Sequence, residues 1–309
     1  MDLKFHSAFL RYLNELDRRF KVVLAAIGAY NWAYNLSLNY NQLYAIALGA
    51  SPIELSSLNS VGAIVSSLIS VPAGWLIDRH GVKNMLMVGL ILSAIVSAIY
   101  GYSSSWLMLI PAVVLTQIGF KLIIPLADII FVGTSRAEGR AQAMGMSRAV
   151  WAIPALLAPM VAAFIVTAYG GINVQGIRPL FFLQLISTIL VIVFTFLTLE
   201  EMRVHTTTIS KYDQEANIGG LIDSFRDLFK GSKGLIEWVI LMGIWRFEMS
   251  ISMPFITLWM AYVKGADPYV LGAVSTVGLI TSALLQIPVG RMADRVGRKK
   301  VFFLVRPLT

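Results

Sequence analysis

The chain has no cysteine, so disulfides, thiolate metal sites and cysteine nucleophiles are excluded. Histidine is nearly as scarce: His6, His80 and His205 are the only three, and each lies outside the long apolar runs. The two residue types most used for metal sites are thus missing from any membrane interior, and neither a metal nor a cofactor is expected. Charge is thin as well, at 14% of residues against roughly 25% in an ordinary soluble domain. No G-x-x-x-x-G-K-[ST] loop is present to cradle nucleotide phosphates, which removes the ATP-driven pumps. No H-E-x-x-H pair or activated nucleophile occurs either, so an enzyme is not expected.

What fills the 309 residues instead is apolar: 57% are hydrophobic, with a mean hydropathy of +0.73. Runs long enough to cross about 30 Å of hydrocarbon at about 1.5 Å per residue fall near 21–47, 53–77, 84–102, 106–132, 143–169, 178–199, 235–262 and 269–292. An all-α integral membrane protein with eight spans follows. The first twenty residues are too charged for a secretory signal peptide. They read as an interfacial amphipathic helix, with Phe9, Leu13, Leu16 and Phe20 on one face and Arg11, Glu15, Arg18 and Arg19 elsewhere. The one long polar connection, 200–234, contains a second amphipathic stretch and divides a six-helix bundle, 21–199, from the start of another at 235–309.

The net charge of +8 is explained by topology. With the N-terminus in the cytoplasm, Arg178 and Lys264 fall outside, Lys121 and Arg246 fall within spans, and the rest of the 25 Lys and Arg lie inside. These charges are spread over alternate loops with no basic patch and no interleaved aromatics, so nucleic acid is not an expected partner. The lipid bilayer is.

One segment occurs twice. GASPIELSSLNSVGAIVSSLISVPAGWLIDRHGVK from Gly49 aligns without a gap on GADPYVLGAVSTVGLITSALLQIPVGRMADRVGRK from Gly265. Gly49, Pro52, Leu55, Gly62, Ser66, Pro72, Gly74, Asp78, Arg79, Gly81 and Lys83 recur as Gly265, Pro268, Leu271, Gly278, Ser282, Pro288, Gly290, Asp294, Arg295, Gly297 and Lys299. An offset of about 216 residues is far too long for a solenoid repeat and points to a duplicated bundle of membrane helices.

The end of each copy carries a recognisable pattern. Gly74-Trp75-Leu76-Ile77-Asp78-Arg79-His80-Gly81-Val82-Lys83 resembles the signature loop of the major facilitator superfamily, and Gly290 to Lys299, with Arg298 preceding the lysine, echoes it. The physical reading is a latch: glycines allow close approach and tight turning, the aspartate can cap or pair at a helix end, and the basic groups hold the loop on the cytoplasmic side. The resemblance implies that this latch closes the cytoplasmic face with an acidic residue at the inner end of span four, a place taken here by Asp128. Val82 departs from the pattern, which usually has Arg there. The resemblance further implies twelve spans, so the chain is expected to be truncated after the eighth, or to be a short form completed by a partner. In span five, Pro154 to Ala163 partly matches an antiporter-associated stretch. Span four lacks the arginine that drug and proton antiporters usually carry before Gln117-Ile118-Gly119.

An ionisable side chain at a span's centre costs about 2.5–3.5 kcal/mol on insertion scales, so the few that occur are candidates for a cavity. Lys121 and Asp128 share one face of span four with Gln117, and Arg246 and Glu248 stand near the middle of span seven. Span one carries Asn31, Asn35 and Asn39 at helical spacing, with Tyr30, Tyr34 and Asn41. In the resembling family spans one, four and seven line the central pathway, and these are the spans that hold the polar groups. Two readings stay open for Lys121 and Arg246: contact with ligand or coupling ion, or internal pairing, of Lys121 with Asp128 or Glu248 and of Arg246 with Glu248 or a further helix. The function implied is secondary active transport of a small organic solute by alternating access, driven by protons or another ion. Efflux is the first reading, and uptake of a sugar or organic acid is the alternative. A receptor or regulatory subunit on the same scaffold is the rival from another class.

Overall fold

A computed structural model describes residues 18–134, 152–199, 234–297 and 300–302, apart from the side chains at 18–20, 78, 127–134, 286–287, 291 and 294. The expected interfacial helix up to residue 17, the start of span five, most of the 200–234 connection, and Arg298 and Lys299 lie outside the described residues. Among those described, regular structure is helical throughout, with no strand.

The duplicated segment folds the same way twice, and the reasons are local. Gly49 and Gly265 take φ of 94° and 67°, a region that favours glycine, and turn the chain into the next span. Ser51 then caps span two, Pro52–His80, by a capping box: the Glu54 amide donates to Ser51 Oγ at 3.3 Å, and the Ser51 amide donates to Glu54 Oε2 at 2.7 Å. Asp267 does the same work for span eight, Pro268–Val296, accepting from the Val270 amide at 2.8 Å. Pro52 and Pro268 each sit in the first turn, where the missing N–H is harmless. Both helices run 29 residues, both enclose a proline (Pro72, Pro288), and both stop at a positive-φ glycine, Gly81 at 81° and Gly297 at 97°.

The other spans are Val82–Tyr102 (three), Leu109–Thr134 (four), Val174–Thr198 (six) and Leu235–Leu258 (seven), the last continuing through a π turn over Trp259–Val263. Six of the described helices are long and apolar enough to cross a membrane, namely spans two, three, four, six, seven and eight. Span one runs as Arg18–Ser37, a 3-10 turn at Leu38–Tyr40, and Asn41–Ala47. Its asparagines and tyrosines keep it out of that apolar class. Span five is described as a 3-10 turn, Ile153–Leu157, followed by Ala158–Ala168, with Pro154 and Pro159 at the first turn of each.

Lipid tails are as apolar as leucine, so packing between spans depends on close contact more than on escape from solvent. Small residues supply it. A methyl on Gly89 of span three would stand 2.5 Å from Ile123 Cγ1 of span four, and one on Gly62 of span two would meet Val113 at 2.9 Å. Span one packs on five and six, span three on four and six, and span two on four. Span two turns a serine-rich face outward. There Ser56, Ser60, Ser67 and Ser70 donate to carbonyls four residues back at 2.6–3.0 Å, which satisfies their hydroxyls without water.

The two segments on either side of the long connection meet through span eight. A methyl on Gly272 would lie 2.8 Å from the Pro159 carbonyl and 2.9 Å from Ala163 Cβ, so span eight crosses span five backbone to backbone. Leu271 is buried there, within the cluster that holds Ala158, Ala162 and Val166. Close by, the Tyr40 hydroxyl donates to the Pro268 carbonyl at 3.5 Å.

Candidate functional site

Helical spacing places residues i, i+3 and i+7 of span one on one side, and that side is polar. Tyr30, Tyr34, Ser37 and Asn41 line a partly open cavity of about 140 Å³. Span four contributes Thr116, Gln117 and Phe120, span two Asn59, span three Ser93 and Tyr100, and span six Phe181 and Gln184. The cavity thus lies among the first six spans, walled by one aromatic pair from spans one and four and another from spans three and six. Tyr34 and Phe120 meet edge to face at 4.6 Å, and Tyr100 and Phe181 stack at 4.7 Å.

Its described lining groups are amides, hydroxyls and aromatic rings together with apolar side chains, and no charged side chain is among the described lining residues. Some are already satisfied: the Ser37 hydroxyl donates to Gln184 Oε1 at 2.6 Å. Others are not. Asn41 Oδ1 and Asn59 Nδ2, each with almost no accessible surface, have no partner among the described residues, and an unmade hydrogen bond of this kind costs about 1–3 kcal/mol.

The residues that sequence points to divide among several places. Tyr34 and Gln117 line the cavity. Asn35 is buried and turned back along its own helix, donating to the Asn31 carbonyl at 2.8 Å and to Asn31 Oδ1 at 3.0 Å. Asn31 and Asn35 therefore bond to each other and do not line the cavity. Lys121, one turn beyond Gln117, is half-buried and outside the lining. Arg246 and Glu248 are exposed on span seven, with the Arg246 guanidinium 5.7 Å from the Trp245 ring centre. A search for ionisable groups within spans passes over Gln184, Ser37, Asn59, Ser93 and Thr116. The signal that reveals such residues is an uncharged amide like Gln184 inside an apolar run, since burial obliges it to find a partner.

At the first signature loop, Gly81 is both the end of span two and the start of span three, and its positive φ makes the tight turn expected of it. Gly74 behaves differently: a Cβ there would meet nothing within 4 Å, so it makes no close helix contact among the described residues. The Arg79 guanidinium lies over the Trp75 ring at 5.1 Å, and Lys83 Nζ reaches over Phe196 of span six at 5.7 Å. In the second copy Gly290 is helical, Arg295 is exposed in the last turn and Gly297 makes the matching turn. The side chains of Asp78, Asp128 and Asp294 lie outside the described set.

Away from the latch, Arg178 of span six joins three elements. Its Nε donates to the Tyr44 hydroxyl at 3.2 Å and its Nη2 to the Ser103 carbonyl at 2.7 Å, while Ser103 Oγ donates to the Tyr100 carbonyl at 2.8 Å.

Comparison with known proteins agrees with this architecture. Multidrug resistance protein 2 of Bacillus subtilis (strain 168) is 23% identical over 244 residues, covering 78% of this chain and 58% of its own length. Multidrug resistance protein MdtG of Escherichia coli O9:H4 (strain HS) is 25% identical over 294 residues, covering 91% of this chain and 68% of its own. The chain therefore spans well under the full length of either relative. Among solved structures, the human organic anion transporter MFSD10 (TETRAN) matches with a TM-score of 0.58 at 16% identity, over 89% of this chain and 72% of that one. A D-xylose-proton symporter matches at 0.54 and 14% identity, over 89% and 66%. The family model for the Major Facilitator Superfamily matches residues 22–245, well over half of the chain, and the protein belongs to that family of membrane transporters.

Proposed function

We propose that the chain is part of a secondary active transporter that moves a small organic solute across the cytoplasmic membrane by alternating access, with its N-terminus in the cytoplasm. The observation that carries this reading is the family match across residues 22–245, joined to a latch-bearing segment present twice with the same caps and turns. Two bundles, 21–199 and the one begun at 235–309, rock about a site between them, and the 200–234 connection lets them move. The cytoplasmic latch, Asp78, Arg79 and Lys83 with Asp128, and Asp294, Arg295, Arg298 and Lys299 in the second copy, biases one end state and touches no solute. Lys121, Arg246 and Glu248 face the pathway between the bundles.

Efflux coupled to protons or another ion is supported by the two bacterial relatives, both multidrug resistance proteins by name. The competing direction, uptake of a sugar or organic acid, draws on the xylose-proton symporter, which at 14% identity supports the fold alone. The deciding experiment reconstitutes the complete twelve-span transporter that contains this chain in liposomes, with a pH gradient imposed in either direction, and follows a dye or labelled solute. Accumulation against its gradient, abolished by an uncoupler, supports coupled transport, and the sign of the effective gradient separates antiport from symport. Saturable binding with no flux under any gradient would favour the receptor or regulatory reading.

A further inference from the structure

We propose that Arg178 is a positioning residue for the cavity among the first six spans: without lining it, Arg178 fixes the aromatic wall that decides how bulky a group the cavity admits. This deepens the transport reading and rests on it for the cavity's place on the solute path.

The wall is a cluster of three rings. Phe181 of span six lies 4.7 Å from Tyr100 of span three and 4.9 Å from Tyr44 of span one, centre to centre, and all three side chains are buried. Tyr100 and Phe181 line the cavity, whereas Tyr44 stands behind them and does not. Dispersion between such rings is strong in sum but without direction, and each ring belongs to a different span. The wall therefore stands only as firmly as those three spans are held to one another.

Arg178 supplies the directed part of that hold. Its Nε donates to the Tyr44 hydroxyl at 3.2 Å and its Nη2 to the Ser103 carbonyl at 2.7 Å, so one planar guanidinium fixes two partners on two other elements in distance and in orientation. Both acceptors are on fully buried residues, where water cannot take the place of a lost donor. Each corner of this network stands close to one helical turn from a residue that lines the cavity: Arg178 is three residues before Phe181, Ser103 three after Tyr100, and Tyr44 three after Asn41. A shift of the fork is thus carried to lining side chains on three spans. At about 140 Å³ the cavity is well below the roughly 300–1,000 Å³ of a site for a drug-sized ligand, so a small movement of this wall changes what fits.

The chain has no cysteine, so Thr116→Cys puts a single thiol in the part of the wall that span four supplies. The complete transporter that contains this chain, with any thiol in its remaining part replaced, is reacted in proteoliposomes with methyl methanethiosulfonate and with the bulkier benzyl methanethiosulfonate. The readout is the ratio of the two rates, referred to the same ratio at Ser60→Cys on the outward face of span two. The amount of folded protein cancels from it. Arg178→Ala should shift the ratio at Thr116→Cys toward the bulky reagent by about tenfold or more, the factor that corresponds to losing hydrogen bonds to a charged group. Arg178→Lys should restore part of the selectivity, since an ammonium keeps the charge and lacks the planar fork. Should Arg178→Ala fail to fold, Tyr44→Phe keeps the ring, removes the hydroxyl that Nε meets, and is expected to shift the ratio the same way. An unchanged ratio in the folded variants, an equal shift at Ser60→Cys, or a shift toward the small reagent would overturn the proposal. The transport reading is judged separately by flux. Coupled flux with an unchanged ratio leaves the transporter and removes the positioning role, whereas a shifted ratio with no flux under any gradient does the reverse.

Discussion

Single polar side chains in this chain are arranged so that most have somewhere to put their hydrogen bonds, and the exceptions mark the places of interest. Arg178 illustrates the rule. It ties span six to Tyr44 and to the Ser103 carbonyl, so Arg178→Ala should lower stability by about 1.5–3 kcal/mol, the worth of hydrogen bonds to a charged group. Arg178→Lys should fall between, because an ammonium cannot reproduce the planar two-pronged donation. Thermal unfolding in detergent checks both. Lys121 is a place of interest for its depth: it is half-buried on a membrane-spanning helix, where a cation costs about 2.5–3.5 kcal/mol unless it faces water or a partner. The chain has no native cysteine, so Lys121→Cys gives one reporter. Reaction with a water-soluble maleimide is the expected outcome, and protection by lipid would contradict a place on the solute pathway.

Whole helices are held by close approach at a few small residues, and this makes their tolerance to substitution uneven. Gly89→Val should be severe. Its new Cβ would run into Ile123, forcing spans three and four apart at a loss of about 1–3 kcal/mol in unfolding experiments. In the same experiments Ser60→Ala and Ser67→Ala on the outward face of span two should be nearly neutral, within about 0.5 kcal/mol, because each removes a hydroxyl bonded only to its own helix. A large effect at either serine would mean that this face is covered by something other than lipid. Gly74 lies on the same helix with open space around it, whereas Gly81 holds a positive φ. The two glycines of one motif therefore do different things: one is a turn that needs glycine, the other a position that the described neighbours leave free.

Between the two parts of the molecule, the contact to test is the crossing of span eight over span five. Gly272→Ala should be destabilising by about 1–3 kcal/mol in unfolding experiments, since a Cβ at 272 would lie 2.8 Å from the Pro159 carbonyl and 2.9 Å from Ala163 Cβ. Unchanged stability would mean that the two spans do not meet at this point. In the transport cycle, Arg79→Ala should slow turnover with little change in solute affinity, because the guanidinium lies over Trp75 at the end of span two and lines no part of the cavity. Equal losses of affinity and turnover would place Arg79 at the binding step.

The helical membrane class, the duplication and the latch turns are legible in the residues themselves, because each rests on local physics. Apolar length sets a span, Ser51 or Asp267 before a proline sets a helix start, and a glycine at 81 or 297 sets a stop. Which polar residues meet is not local. Asn31, Tyr34, Asn35 and Gln117 look alike as candidates on helical spacing, yet two of them bond to each other while the other two line a cavity. Their neighbours there, Asn59, Ser93 and Gln184, come from spans with almost no ionisable group within the apolar core. Only the packing of five helices around one space, permitted by glycines at 62 and 89, brings those uncharged groups together, because a hydrogen bond between spans depends on how closely their backbones approach.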